Sequence, residues 1–494
     1  MLTKEEIVKS VPQTGFVGQP KGLFSLFFTE FWERFSYYGM RAILIFYMYY
    51  AVKDGGLGLD RTQANIIMSL YGSLIYMSGI IGGWIADRIL GTRKAVFYGG
   101  ILIMIGHIAL SLPGGVTALY VSMVFIIIGT GLLKPNVSAV VGDLYADNDG
   151  RRDAGFSIFY MGINLGAFIA AIITGFLQQE IGFHAGFAAA AVGMALGLVV
   201  FIWRQKDLGL AGSQAPNPMN AAEKKRSAMM FIIGAIVIAI LVVVARATDT
   251  LTIENFSLVI TALGILIPTI LITVMYRSNK TTADEKSRVL AYIPLFVCAV
   301  MFWAIADQSA TILATFVDTR TDLTLGSFEI PAAWFQSLNP LFIIAIAPLF
   351  ALMWTKLADR GPSTPKKFAL SLFFSGSSFF VMIIPIVMAG PGELINPLWV
   401  VLSFFLVVLG ELLLSPVGLS ATTKLAPAAF SGQTMALWFL ASAAASAINA
   451  QLVRVYEVVS EVAYFGVLGG LSVVLGIILL FISPIISRAM RGIK

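Results

Sequence analysis

The chain has 494 residues, of which 58% are hydrophobic and 12% charged, well below the charged share of about 25% in soluble domains. Apolar runs of about 20 residues, long enough to cross about 30 Å of hydrocarbon, recur from end to end and exclude a soluble globular fold. Strand-period alternation, the mark of a β-barrel, is absent. A net charge of +6 in such a chain reflects basic loops rather than a nucleic-acid partner.

The first apolar run begins near Lys21 and outlasts a signal-peptide core, with no small-residue cleavage site after it. It is read as an uncleaved spanning helix over 21–52. Further helices are expected at 62–88, 94–111, 117–145, 153–178 and 184–203. A pair at 227–246 and 255–276 follows, then six at 288–317, 328–357, 366–389, 395–424, 431–457 and 462–487. The expected fold is thus an all-α polytopic membrane protein with 14 transmembrane helices. Placing the N-terminus inside and alternating sides puts 25 of the 33 Lys and Arg in cytoplasmic segments and five outside, so both termini are expected in the cytoplasm.

Two loops match. "WIADRILGTRK" follows the second helix and "KLADRGPSTPKK" the helix at 328–357, which makes Asp87-Arg88 and Asp359-Arg360 cognate. Intramembrane polar residues keep step with these anchors: Glu33 and Lys134 flank the first, Asp307 and Glu411 the second. The spacing divides the chain into a six-helix bundle over 1–203, a linker with an inserted helix pair over 204–287, and a second six-helix bundle over 288–494. Duplicated halves with a site between them are a transporter architecture, and the Gly-Asp-Arg-basic loop resembles that of the major facilitator superfamily.

Seven ionisable residues fall well inside the spans: Glu30, Glu33, Asp307 and Glu411 against Arg34, Arg41 and Lys134. One carboxylate in excess must bind a proton, meet a cationic ligand group or sit in water. Glu30 and Arg34 are i,i+4 and can pair along one helix face. Pro135, Pro340 and Pro416 lie beside Lys134, Asn339 and Glu411, and carbonyls freed by proline are best tolerated where they line a cavity. Tyr37, Tyr38, Tyr76, Tyr160, Trp303 and Trp438 also lie within spans rather than in interfacial belts; taken singly, each fits core packing as well as ligand contact.

Other features carry less. Cys298 is the only cysteine and reads as packing, so no intramolecular disulfide is possible. His107 and His184 are too few and too far apart for a metal site, and no nucleophile elbow or P-loop is present. G-x-x-x-G matches such as Gly79–Gly83 indicate close helix packing.

"EFWERFSYYG" from Glu30 to Gly39 resembles the E-x-x-E-R-F-x-Y-Y-G signature of the proton-dependent oligopeptide transporters, a family within that superfamily. "GTGLLKPNVSAVVGDLY", "FSIFYMGINLGAF", "GELLLSPVGLS" and "MALWFLASAAASAINAQ" resemble its signatures in helices 4, 5, 10 and 11, and the inserted pair is typical of the bacterial branch. The resemblance implies a proton-coupled importer of di- and tripeptides working by alternating access, not an enzyme. It implies a monomer in the bacterial cytoplasmic membrane, with protons as coupling ion and no cofactor, metal or nucleic acid.

The resemblance also implies residue roles. Glu30, Glu33, Arg34, Lys134 and Asp307 would couple protons. Arg41 and Lys134 would meet the peptide carboxylate, and Glu411, helped by Asn164 and Asn339, its amino terminus. Tyr37, Tyr38, Tyr76, Tyr160, Trp303 and Trp438 would line side-chain pockets. At one place the chain departs: "FWAIADQ" carries Asp307 where the family usually has glutamate, which puts an outer-gate bridge to Arg41 in doubt. A carrier of another small zwitterion, and less readily a membrane-embedded enzyme, remain as alternatives.

Overall fold

The structure is a computed structural model that describes residues 3–146, 149–357 and 360–493. A short helix α1 (Lys4–Ser10) precedes α2 (Gly22–Tyr49), α3 (Arg61–Ile85), α4 (Thr92–Ser111), α5 (Gly115–Asp143), α6 (Arg152–Glu180) and α7 (Phe183–Trp203). Next come α8 (Ala221–Ala247) and α9 (Ile253–Arg277), then α10 (Ala283–Ala306) with α11 (Ile312–Arg320), α12 (Leu338–Leu357), α13 (Thr364–Ala389), α14 (Pro397–Leu425), α15 (Ser431–Val458) and α16 (Glu461–Ala489). Thirteen helical segments among the described residues, α10–α11 counting as one, are long and apolar enough to cross a membrane. The remaining span is α2, which carries Glu30, Glu33, Arg34 and Arg41. The all-α polytopic fold therefore stands, with 14 spans.

Helix starts follow the local chemistry. Asn220 with Glu223 and Thr282 with Glu285 form capping boxes at α8 and α10, and Asp60, Thr252 and Ser460 cap α3, α9 and α16. Each side chain satisfies a backbone N–H that has no partner within the helix.

The first six spans and the last six repeat one pattern of neighbours. In the first, α4 packs on α5 and α7, α3 on α5, and α2 on α6. In the second, α13 packs on α14 and α16, α12 on α14, and α10 on α15. The two sets meet reciprocally, α3 against α15 and α12 against α6. Buried aromatics fill each set: Phe46, Tyr47 and Phe187 in the first, Phe302, Phe368, Phe379 and Phe465 in the second. Helix α9 packs on α15 and α3, whereas α8 has no buried residue.

The spans alternate in direction, so α2 starts and α16 ends on one face, the terminal face; the other is the far face. On the terminal face the linker lies along the α3–α4 turn. Arg93 donates to the carbonyls of Gly209 and Ala211, and the Asn217 and Met219 amides donate to Asp87 and Arg88. Outside the spans, the hydrogen-bonded Arg151 guanidinium holds the Asp149 carboxyl below the usual range.

Several details differ from the sequence reading. The helix expected at 288–317 breaks at a 3-10 turn over Asp307–Ala310 and resumes as α11. Residues 328–337 are not helical at their start: Thr324–Leu325 pairs with Phe328–Glu329 in a two-stranded hairpin turned at Gly326 (φ 65°), and a 3-10 turn over Ala332–Ser337 leads into α12. Pro340 therefore falls in the first turn of α12, where no intrahelical N–H bond is lost, and it disrupts nothing. Gly79 and Gly83 face open space, so that G-x-x-x-G match is no packing seam. The close approach lies one row over, where a Cβ on Gly82 would sit 1.9 Å from the Gly131 carbonyl oxygen of α5. Of the two cognate loop pairs, Asp87, Arg88 and Arg360 are described, and Asp359 lies outside the described residues.

Candidate functional site

Midway along α2, Glu30, Glu33 and Arg34 are buried at 3%, 0% and 2% exposure. The Arg34 guanidinium donates to both Glu33 carboxylate oxygens, at 2.6 Å from Nη2 and through Nε, and its Nε lies 3.2 Å from Glu30 Oε1. The expected i,i+4 pair thus exists, but Arg34 is shared between two acids. Glu30 Oε2 is buried with no hydrogen-bond partner among the described residues. Two carboxylates against one guanidinium leave this knot one negative charge over, and the second cation facing both acids is Lys134 of α5. The Arg34 guanidinium also lies over the rings of Tyr37 and Tyr38, at 5.2 and 5.8 Å.

Around the knot the polar residues are only half-buried, although they belong to the middles of spans. Tyr38, Arg41, Tyr76, Lys134, Trp303, Asp307, Asn339 and Glu411 are all of this kind, and Tyr160 is 45% exposed. Tyr160 shares the electrostatic environment of Glu411 and Tyr38, which lie on opposite sets of helices. These residues line a central space between the two sets. Asn164, nearly buried, donates to the Tyr160 carbonyl one turn back and holds that stretch of α6 in shape.

The backbone around Lys134 shows why it sits there. Pro135 cannot donate to the Gly131 carbonyl four residues earlier. That carbonyl is covered instead by Gly82 of α3, and Asn136 donates to the Leu132 carbonyl at 2.7 Å and to Gly82 across the interface at 3.4 Å. The Lys134 ammonium lies 4.5 Å from the centre of the Tyr76 ring. On the other set, Asn339 Nδ2 donates to Glu411 Oε2 at 2.9 Å, and Ser446 Oγ donates to Asp307 Oδ2 at 2.9 Å.

The remaining charges sort by helix set. Among the described residues Arg41 and Lys134, both in the first set, form no ion pair. Asp307 and Glu411, both in the second, meet only neutral donors. The space between the sets is therefore lined by cations on one side and anions on the other. The bridge from Asp307 to Arg41 that the sequence put in doubt is not formed.

Two of the expected aromatics pack against their own helix set, Trp438 as a buried ring and Trp303 with part of its surface still open to the central space. Trp438 is 7% exposed and its ring covers Gly418, where a Cβ would clash at 2.0 Å; Trp303 stacks edge-on against Phe302 at 5.3 Å. Conversely, sequence reasoning missed Ser446, Tyr71 and the Gln308–Asn449–Tyr464 network. Tyr71 is 2% exposed, its hydroxyl has no hydrogen-bond partner among the described residues, and Glu33, Arg34, Arg41 and Tyr37 are its electrostatic neighbours. The one signal for Tyr71 was a tyrosine inside an otherwise apolar span.

The far face is closed. Tyr49 and Tyr50 of α2 both donate to the Asp318 carboxylate of α11, at 2.5 and 2.6 Å. Trp334 Nε1 donates to Ile172, Ser337 to Phe168 and Gln179 to Glu329, each linking the two sets, and at mid-span Ser73 donates to Ala443. Among the described residues no side-chain hydrogen bond joins the sets at the terminal ends of α5, α6, α12 and α14, and the start of α6 and the end of α12 are largely exposed.

The sequence matches the PTR2 profile, described as the POT family, over residues 93–471. A crystal structure of a peptide transporter POT in complex with sulfate superposes with a TM-score of 0.97 at 62% identity, covering 100% of both chains. An uncharacterized transporter, YclF of Bacillus subtilis (strain 168), is 59% identical over 100% of this chain and 99% of its own. A di-/tripeptide transporter of Lactococcus lactis subsp. cremoris is 45% identical over 97% of this chain and 98% of its own. The two repeated helix sets with an inserted pair are a major-facilitator fold, and the relatives are transporters rather than enzymes. The chain belongs to the POT family of membrane transporters.

Proposed function

We propose that this protein is a proton-coupled symporter that imports di- and tripeptides by alternating access. The observation that carries the reading is the sorting of unpaired charge. Arg41 and Lys134 stand on one helix set and Glu411 and Asp307 on the other, across an accessible space. A short peptide is a zwitterion, and it would lie across that space with its carboxylate toward Arg41 and Lys134 and its amino terminus toward Glu411. Asn339 orients the Glu411 carboxylate, and Tyr38, Tyr76, Tyr160 and Trp303 offer neutral surface to the side chains. Because the two ends of the ligand bind different sets, binding draws the sets together. The name of the 45% identical relative, a di-/tripeptide transporter, supports the substrate class.

Protons would be exchanged by Glu30 and Glu33, the buried acids that share one arginine, with Arg34 and Lys134 as alternating counter-ions and Asp307 as a further candidate. No other coupling ion or cofactor is proposed. The domain boundaries proposed are 1–203, 204–287 and 288–494, supported by the repeated neighbour pattern. The protein would act as a monomer in the bacterial cytoplasmic membrane, with the basic terminal face in the cytoplasm.

Purified protein in proteoliposomes tests the reading. A proton crossing 100 mV gains about 2.3 kcal/mol and one pH unit adds about 1.4 kcal/mol. If one proton accompanies each neutral dipeptide, an imposed gradient of both should drive accumulation of a few-hundredfold, roughly, by the same energy scale. Accumulation that ignores the proton gradient, or no dipeptide uptake at all, would overturn it.

A further inference from the structure

The α10–α11 break is held from one side. Ser446 and Asn449 sit three residues apart on one face of α15 and are 4% and 1% exposed. Ser446 bonds Asp307, and Asn449 Oδ1 accepts from the buried Gln308 side chain at 3.4 Å. Gln308 also donates to the Ala304 carbonyl at 3.0 Å and accepts from the Tyr464 hydroxyl of α16 at 3.0 Å. Across the interface, Gly72 of α3 lies over Ser446: a Cβ there would stand 3.3 Å from Ser446 Oγ. The serine hydroxyl is thus confined between α3 and the break, aimed at one carboxylate oxygen.

Arg41 is the cation whose charge Asp307 feels most strongly, yet the two are not paired, and Arg41 forms no hydrogen bond or ion pair among the described residues. A half-buried carboxylate needs donors. Asp307 takes one from the second helix set, the Ser446 hydroxyl at 2.9 Å, and that bond turns it away from Arg41.

We propose that Ser446 is a positioning residue for ligand binding: it holds Asp307 on α15 and so keeps Arg41 uncommitted and open to an anionic group in the cavity. That the anionic group is a peptide carboxylate rests on the function proposed above; the competition between Asp307 and the cavity for Arg41 does not. Without the serine hydroxyl, Asp307 loses its donor and turns to Arg41, the cation whose charge it feels most strongly.

The test has a chemical arm and a binding arm. In the first, purified full-length protein is treated with phenylglyoxal, and modification of Arg41 is read by mass spectrometry against the exposed Arg491. Ser446→Ala should slow Arg41 modification roughly fivefold, the effect of one net hydrogen bond, and adding Asp307→Asn should restore it. An unchanged rate in Ser446→Ala, or no recovery in the double variant, overturns the proposal. In the second arm, Ser446→Ala should weaken a free dipeptide on the order of tenfold and its C-terminal amide much less. Equal weakening of the two also overturns it. If the unsubstituted protein binds no dipeptide, the peptide reading fails, while the arginine arm still decides the role of Ser446.

Discussion

Glu411 is a carboxylate at the middle of a span whose only hydrogen-bond donor among the described residues is an amide, the Asn339 side chain at 2.9 Å. A charge at mid-bilayer depth costs about 2.5–3.5 kcal/mol on insertion scales, and one neutral donor does not offset that. The arrangement fits a residue whose cation arrives with the ligand. Glu411→Gln should therefore weaken binding of free-amine dipeptides by about 10- to 150-fold, the range of a lost charge-assisted contact of about 1.5–3 kcal/mol. N-acetylated dipeptides, which bring no cation, should be nearly unaffected by the substitution. Competition assays on both ligand forms check this, and equal losses would remove the amine-binding role. Charges of this kind were legible in the sequence because each interrupts an apolar run. Ser446, Asn449 and Tyr464 were not, since a serine in the alanine-rich α15 costs little wherever it points. Only the fold shows that it meets Asp307 from 139 residues away.

At the scale of elements, helix existence was legible almost throughout, because a span of hydrocarbon length leaves a run that loops cannot imitate. The failures lie where backbone geometry rather than composition decides. The α10–α11 break depends on the side-chain network around Gln308 from α15 and α16, which no local pattern announces. The G-x-x-x-G match was misplaced by one helical row: Ser78 and Gly82 face α5, whereas Gly79 and Gly83 do not. The contact at Gly82 is with backbone, the Gly131 carbonyl and the Leu132 amide, so no side chain can swing aside. Gly82→Ala should then destabilise the protein by about 1–3 kcal/mol or more, seen as a lower melting temperature in detergent or loss of the folded peak on size exclusion. Gly83→Ala, one residue on, should leave both unchanged. Equal tolerance of the two would mean that α3 and α5 do not touch at Gly82 and Gly131.

For the whole molecule, the contacts between helix sets are lopsided. The far face is joined by Tyr49 and Tyr50 on Asp318, and by Trp334, Ser337 and Gln179 on backbone carbonyls. An alternating-access cycle has to break these contacts together, and Asp318 is the charged point among them. Its carboxylate takes two hydroxyl donors from α2 and has no ion-pair partner among the described residues. The double substitution Tyr49→Phe, Tyr50→Phe removes both donors while keeping the rings, and should bias the protein toward an open far face. A cysteine placed at Ser337, which is 5% exposed in the closed far face, reports opening once Cys298 is replaced by alanine. Its reaction with a membrane-impermeant thiol reagent, applied outside intact cells, should be slow with the tyrosines present. With both hydroxyls gone it should speed up by roughly 10-fold or more, the shift produced by losing about 1.5–3 kcal/mol from the closed state. An unchanged rate would show that the tyrosines do not hold the far face shut. Reaction only in inverted vesicles would place the far face in the cytoplasm, against the concentration of lysine and arginine on the terminal face.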